Sequence, residues 1–341
     1  MKKINLLIAL SFSLTVNLLG QQDVHFSQFF SSPLTLNPAN AGIFNGDLRA
    51  IMNYRSQWSS ISESYKTTAA SVDFPVLKKL PGGMFGLGLN FFKDGAGDSK
   101  FSNVNYALSL AYHLDISGGY NNHYLSLGFQ AGMIQRSITA DNLTWDNQWD
   151  GRKFDTGTAS TSFTALDGTS ANAFDISTGI HWYYAPSKST RFNAGFSMFH
   201  ANSPDVGFNS ESKLLKKYSL HGGAEIELTP GKTALTPNFV TVFQGVNKYT
   251  DIGGEFKIFL QESTRFTNFK NVMYMSVGPY FRWNDALYVV ARYGWSGITA
   301  SVSYDFNISS LSIVSGTKGG FEFMLGYKMD ISSTQSRGHR F

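Results

Sequence analysis

The chain has 341 residues, 28 of them basic and 24 acidic, for a net charge of +4. That balance is too weak to argue for nucleic acid, and no basic cluster is interleaved with aromatics. Cysteine is absent, which excludes disulfides, thiolate metal sites and a cysteine nucleophile.

Charged residues are only 15% of the chain, below the ~25% usual for soluble globular proteins. Phe (29) and Tyr (16) lead an aromatic share of 15%. A lipid-facing barrel with aromatic girdles gives that skew, although composition alone leaves an aromatic-rich soluble β-sandwich open.

Residues 1–20 read as a secretory signal peptide. Lys2 and Lys3 precede an apolar stretch over 4–19, and Gly20 marks the expected cut. No cysteine follows, so this is not a lipoprotein signal. Beyond it, nothing approaches the ~18 consecutive apolar residues of a spanning helix. A membrane protein with this sequence has to be a β-barrel.

Residues 21–47 lack strand alternation and contain Pro33, Pro38 and Gly42. The rings of Phe26, Phe29 and Phe30 would anchor this segment, either tucked into a lumen as a plug or lying at the periplasmic mouth as a partner contact.

From residue 48 the pattern changes to period two. In residues 298–308 the apolar set Ile298, Ala300, Val302, Tyr304, Phe306 and Ile308 alternates with Thr299, Ser301, Ser303, Asp305 and Asn307. A strand sends successive side chains to opposite faces, so the segment has one apolar and one polar face. The pattern predicts about fourteen strands. They are 48–55, 66–74, 84–92, 104–115, 124–135, 173–185, 190–201, 217–228, 234–243, 249–260, 272–283, 286–295, 298–308 and 320–329. Most match the ~9–11 residues that cross a bilayer when tilted. Pro237 has no N–H for a ladder and predicts a bulge or strand end. The expected fold is all-β: a transmembrane outer-membrane β-barrel of antiparallel strands over 48–331 with a polar lumen, followed by a periplasmic tail, 332–341.

Connection lengths orient it. Residues 185–189 and 229–232 are tight turns, whereas 137–172 and 202–216 are long. Short turns belong to the periplasm and long loops outside, which puts both termini in the periplasm.

Candidate chemistry is thin. His113, His181 and His221 fall on polar strand faces, but no histidine has metal-ligand spacing, and neither metal nor cofactor is expected. No Gly-x-Ser-x-Gly elbow supports a Ser-His hydrolase, so no enzymatic activity is expected. Asp251, Glu255 and Lys257 share one face, as do His221, Glu225 and Glu227; Arg282 and Arg292 could neutralise the carboxylates across the lumen. Gly82, Gly83, Gly86 and Gly88 lie in a period-two strand with no helix after it, so they relieve crowding rather than cradle phosphate. On the longest loop, Trp145, Trp149 and Phe154 are candidate partner contacts.

Several motifs resemble one family. The segment His25-Phe26-Ser27-Gln28-Phe29-Phe30-Ser31-Ser32-Pro33-Leu34-Thr35-Leu36-Asn37-Pro38-Ala39-Asn40-Ala41-Gly42 is followed by Asn53-Tyr54-Arg55-Ser56-Gln57-Trp58. Together they look like the start of the PorP/SprF family of outer-membrane proteins linked to type IX secretion in Bacteroidetes. Asn142-Leu143-Thr144-Trp145, Asp285-Ala286, Ser303-Tyr304-Asp305-Phe306, the strand 322–327 and Arg340-Phe341 fit the same family. The resemblance implies a barrel of about fourteen strands that supports secretion and surface attachment of partners such as gliding adhesins, held through a C-terminal domain. One branch instead serves the core apparatus and contacts periplasmic machinery subunits. A channel for small solutes is the competing reading. The resemblance carries over no catalytic residue.

Overall fold

The computed structural model of the protein describes residue 23 and residues 25–57, 64–96, 101–118, 122–139, 144–155, 157–158, 170–208, 211–261, 272–310 and 312–329. The expected leader, Asn142, Leu143, Trp58 and the 332–341 tail lie outside these residues.

All fourteen expected strands form. They are β1 (Leu48–Gln57), β2 (Tyr65–Leu80), β3 (Gly83–Ala96), β4 (Phe101–Asp115), β5 (Asn122–Ser137), β6 (Ser170–Ala185) and β7 (Thr190–Phe199). The second half comprises β8 (Lys217–Thr229), β9 (Thr233–Gln244), β10 (Asn247–Gln261), β11 (Met273–Arg282), β12 (Ala286–Trp295), β13 (Ile298–Asn307) and β14 (Lys318–Met329). Each pairs with its sequence neighbours, and β1 closes on β14 from Leu48–Met329 to Gln57–Gly320. Closure leaves no edge strand, which a hydrocarbon environment requires.

The wall is apolar outside and polar inside. In β13, Ser301, Ser303, Asp305 and Asn307 are buried, while Val302, Tyr304 and Phe306 stand exposed on the outer surface. No helix among the described residues is long and apolar enough to cross a membrane.

Two expectations need correction. Pro237 causes neither a bulge nor a strand end. It pairs with Gly254 in an unbroken β9–β10 register, and only the β8 ladder is interrupted, between Gly223–Asn238 and Ile226–Leu235. The missing proline N–H costs bonds on one side of the strand alone. Nor do the connections alternate strictly in length. The end with the tight turns also carries 262–272, and the end with the long loops also carries the short links 245–246 and 283–285.

Residues 25–47 form a strap inside the barrel. It makes three short helical turns, Phe29–Ser31, Pro33–Leu36 and Pro38–Asn40. Proline opens two of them, where its missing N–H is no loss. Asn37 caps the last, accepting from the Ala39 N–H at 2.9 Å. A strap without a sheet partner must satisfy its own backbone. Ser31 N donates to Gln28 O at 2.8 Å and Asn37 N to Pro33 O at 3.0 Å.

Candidate functional site: the strap seat in the lumen

The strap touches every strand of the wall, and the contacts fall into tiers. The first tier is centred on Ser27 and Gln28, both fully buried. Arg55 of β1 faces Glu322 of β14 in register across the closing seam. Its guanidinium donates to Glu322 Oε2 at 2.9 Å and to Asp305 Oδ2 at 2.9 Å. The Glu322 carboxylate also accepts from the backbone N–H of Ser27 (2.8 Å) and of Gln28 (3.1 Å). Ser27 Oγ donates to Asp305 Oδ2 at 2.7 Å and accepts from Arg282 Nη2 at 3.0 Å. Arg282 in turn pairs with Asp251 at 3.0 Å. Charges this deep are tolerable only when paired and hydrogen-bonded, and the strap supplies part of that pairing.

Below it, Arg292 donates to Ser31 Oγ at 2.9 Å and pairs with Glu255 at 3.3 Å. Arg282 and Arg292, expected to neutralise lumen carboxylates, pair with Asp251 and Glu255. The remaining acidic pair on the same side divides: Glu225 meets Lys257 at 3.3 Å, whereas Glu227 accepts from the Gly231 N–H at 3.1 Å.

The lowest tier is built from close approaches. Arg49 and Asp73 form a two-point pair, at 2.9 and 2.7 Å. That pair holds the strap through Asn40 O (3.0 Å) and the Gly42 N–H (2.8 Å). Asn37 donates to Ile180 O at 2.8 Å and meets His221 Nε2 at 3.2 Å. A Cβ on Gly86 would lie 1.9 Å from Ala41 O, and one on Gly128 2.2 Å from Ala39 N. These wall glycines exist to let the strap backbone in.

His113 Nε2 lies 2.8 Å from Ala41 O, and Nδ1 lies 2.6 Å from Ser126 Oγ. A carbonyl only accepts, so Nε2 carries the proton and Nδ1 is left to accept from the serine. The pair has the separation of a Ser-His dyad, but the far side of the ring is bound to the strap, and both side chains are sealed from solvent. His181 and His221 stack at 5.9 Å. Among the described residues, no group of three or more His, Asp or Glu side chains could hold a metal ion.

The strap begins at the opposite end of the barrel from the one where it joins β1. Asp23 pairs with His200 Nε2 and with Lys217 Nζ, each at 2.9 Å, beside the 200–216 connection. His200 Nδ1 meets Asp175 at 2.9 Å. Burial disfavours the imidazolium, but Asp23 and Asp175 outweigh it and raise the His200 pKa to about 9. Burial likewise opposes the Asp23 carboxylate, and Lys217 and His200 overcome it, holding that carboxyl well below its usual range.

Residues 18–327 match the family model for the type IX secretion system membrane protein PorP/SprF. The chain belongs to the PorP/SprF family. It is a fourteen-stranded outer-membrane barrel. Comparison with curated proteins gives no match. Solved structures similar to it include a deletion mutant of the TodX monoaromatic hydrocarbon channel, at 10% identity and TM-score 0.45 over 87% of this chain and 92% of that one. A Pseudomonas aeruginosa FadL homologue gives 8% and 0.41 over 87% and 94%. CdiB from Acinetobacter baumannii gives 7% and 0.42 over 84% and 60%.

The family's N-terminal motif maps onto the strap seat. Phe26, Ser27, Gln28, Asn37, Pro38, Ala41 and Gly42 are buried on the strap, and Asn53 and Arg55 are buried on the lumen face of β1. Tyr54, of opposite parity, does not face the lumen with them. Sequence reasoning grouped these residues only as a motif. It did not single out Arg49 or Asp73, and it named Asp305 and Glu322 only within strand motifs; their signal was a charge at an inward strand position.

The aromatic candidates of this PorP/SprF barrel sit elsewhere. A tight turn over 150–153, tied by Asp150 Oδ1 to the N–H groups of Arg152 and Lys153 at 2.8 Å each, brings Trp149 and Phe154 together. Their rings lie 4.9 Å apart, and they are 50% and 46% exposed. Trp145 is half-buried, its N–H donating to Gln148 Oε1 at 3.0 Å.

Proposed function

We propose that this barrel is a non-catalytic component of type IX secretion that supports secretion and surface attachment of partner proteins such as gliding adhesins, holding their C-terminal domain. The observation that carries the reading is the occupied lumen. A strap bonded to strands all around the wall fills the space a solute channel needs, and this favours holding over conduction. With the long connections outside, the 149–154 aromatic pair faces the partner and supplies the apolar anchor that such contacts use. Residues 25–47 then act as a plug, between the outer mouth at Asp23 and the periplasmic end at Asp47. No bond is made or broken. The His113–Ser126 pair serves to seat the strap.

A core-apparatus role is the second reading. The 262–272 connection breaks the run of tight turns on the periplasmic end and offers length for a machinery subunit to grip.

The test is a deletion strain examined by whole-cell labelling of surface adhesin. Loss of the adhesin label with other type IX cargo still processed, restored by the intact gene, supports the anchoring role. Loss of label together with all other type IX cargo favours the core-apparatus reading, and an unaltered strain ends both.

A further inference from the structure

The wall is not of one height. β2–β6 run for 14–16 residues, whereas β7 has 10. β6 and β7 share the tight turn 186–189, so the whole difference falls at the outer end. There β5 pairs with β6 as far as Ser137–Ser170, but the β6–β7 ladder stops at Thr178–Met198. Beyond β7 the chain turns away, with left-handed φ of 56° at His200 and 47° at Ser203. It then folds over the inner face, where Val206 and Leu214 are buried against Ile134 and Ala173. The upper run of β6 is left with an open edge.

Even-numbered residues of β6 aim their backbone groups at that edge, because the hydrogen-bonding direction alternates along a strand. The Ile176 carbonyl accepts from the Ala201 N–H at 2.8 Å. The Asn202 side chain takes the next place. Its Oδ1 accepts from the Ile176 N–H at 3.1 Å, and its Nδ2 donates to the Phe174 carbonyl at 2.6 Å. One carboxamide thus makes the two bonds of a strand residue. Above it, among the described residues, no bond reaches the Phe174 N–H or either backbone group of Asn172.

This edge stands at the water side of the apolar belt. Phe91, Tyr106, Met133 and Phe174 lie in one register row, all exposed on the outer face. Two rows further out the same face reads Gly95, Ser102, Ser137 and Ser170. Aromatic side chains mark the membrane interface of such barrels, and an open edge is tolerable only beyond it.

We infer that residues 170–174 are a docking edge on which an extended segment of the exported partner adds as a strand. Unpaired backbone groups at alternate residues are the template for that contact. A helix cannot use them, because its own backbone groups are already bonded. The segment spans about five residues, since Asn202 closes the edge below. The connection that carries Trp149 and Phe154 springs from Ser137 and Ser170 at the tip of the same edge, so one partner meets both. This contact rests on the anchoring role proposed above and supplies its backbone part.

The test uses the full chain in detergent and the C-terminal domain of the adhesin that the deletion strain fails to display. Hydrogen exchange is read residue by residue. In the barrel alone, the Asn172 and Phe174 amides should exchange at least about tenfold faster than those of Ala171 and Ala173, which face β5. Adding the domain should remove that difference. Asn172→Pro deletes an N–H that the β5 ladder does not use, so the wall should still form. It bars an incoming strand and should weaken binding of the domain by about tenfold. Asn172→Ala keeps the N–H and should bind as the unaltered chain does. If the proline variant loses its heat-resistant gel mobility, the exchange result on the unaltered barrel decides alone. Protection of Asn172 and Phe174 in the barrel alone would show that its own chain covers the edge and would overturn the proposal. Binding without added protection, or equal binding by a folded proline variant, would overturn the strand contact and leave the anchoring role standing. An unaltered barrel that fails to bind the domain would overturn both, as would a deletion strain with every adhesin on display.

Discussion

Arg55 and Glu322 face each other in register across the β1–β14 seam, 2.9 Å apart, and both bind Ser27 of the strap. The joint that closes the cylinder is therefore the joint that seats the strap. The two residues lie 267 positions apart in sequence. Neither can be paired until the barrel has closed, and a closed barrel with an unseated strap leaves buried charge short of partners.

Arg55→Ala removes the cation from this joint and leaves Glu322 and Asp305 buried with less compensation. Breaking a buried pair of this kind typically costs ~3–5 kcal/mol. The barrel should lose its heat-resistant gel mobility at a clearly lower temperature. Lys213→Ala, which removes the exposed pair with Glu211, should leave that temperature where it was. Equal behaviour of the two variants would falsify the assignment of Arg55 as the seam anchor.

Gly86→Val tests the close approach. Its Cβ would overlap Ala41 O, and backbone cannot yield as a flexible side chain can. The wall should still form, because valine suits a strand, but the strap should become cleavable by added protease. A variant with wild-type protease resistance would show that the strap shifts to accommodate the side chain.

Removing residues 25–47 tests occlusion directly. In planar bilayers the intact barrel should be electrically silent and the truncated one should conduct. Steady conductance from the intact protein would contradict the reading of the strap as a plug.

The Asp23–His200–Asp175 contact should titrate. The folded pKa of His200, about 9, is raised above the ordinary 6.5 of a free imidazole. The stabilisation is thus fully present below about pH 6.5 and is lost as pH rises through about 9. Lys217 also pairs with Asp23, so the strap end should loosen rather than detach. Hydrogen exchange near the start of the strap should quicken from pH 6.5 to 9 after correction for intrinsic rates. His200→Gln should flatten that profile. An unchanged slope in the variant would place the pH dependence elsewhere.

Trp149→Ala with Phe154→Ala should reduce surface-held adhesin while the barrel keeps its amount and heat resistance, because the exposed pair makes no contribution to the wall. Whole-cell labelling beside total adhesin separates the two effects; unchanged labelling removes the pair from the interface.

The wall of this protein was legible from its residues one by one. A period of two, apolar against polar, places each side chain without knowledge of any partner, so all fourteen strands and the inward parity of Asp251, Glu255, Arg282 and Arg292 could be read directly. Pro237 was misjudged because a missing N–H matters only on the side where a neighbour would have accepted it, and that side is decided by the sheet. The strap was harder. Its rings and its lack of alternation marked it as something other than a strand, but the path to Asp23 at the far end was not written locally. Ser27 meets Glu322 across 295 residues and Asp305 across 278. Sequence fixes which groups face inward, because that follows from backbone geometry alone; closure of the cylinder decides which of them meet, because only then are positions hundreds of residues apart brought within hydrogen-bond reach.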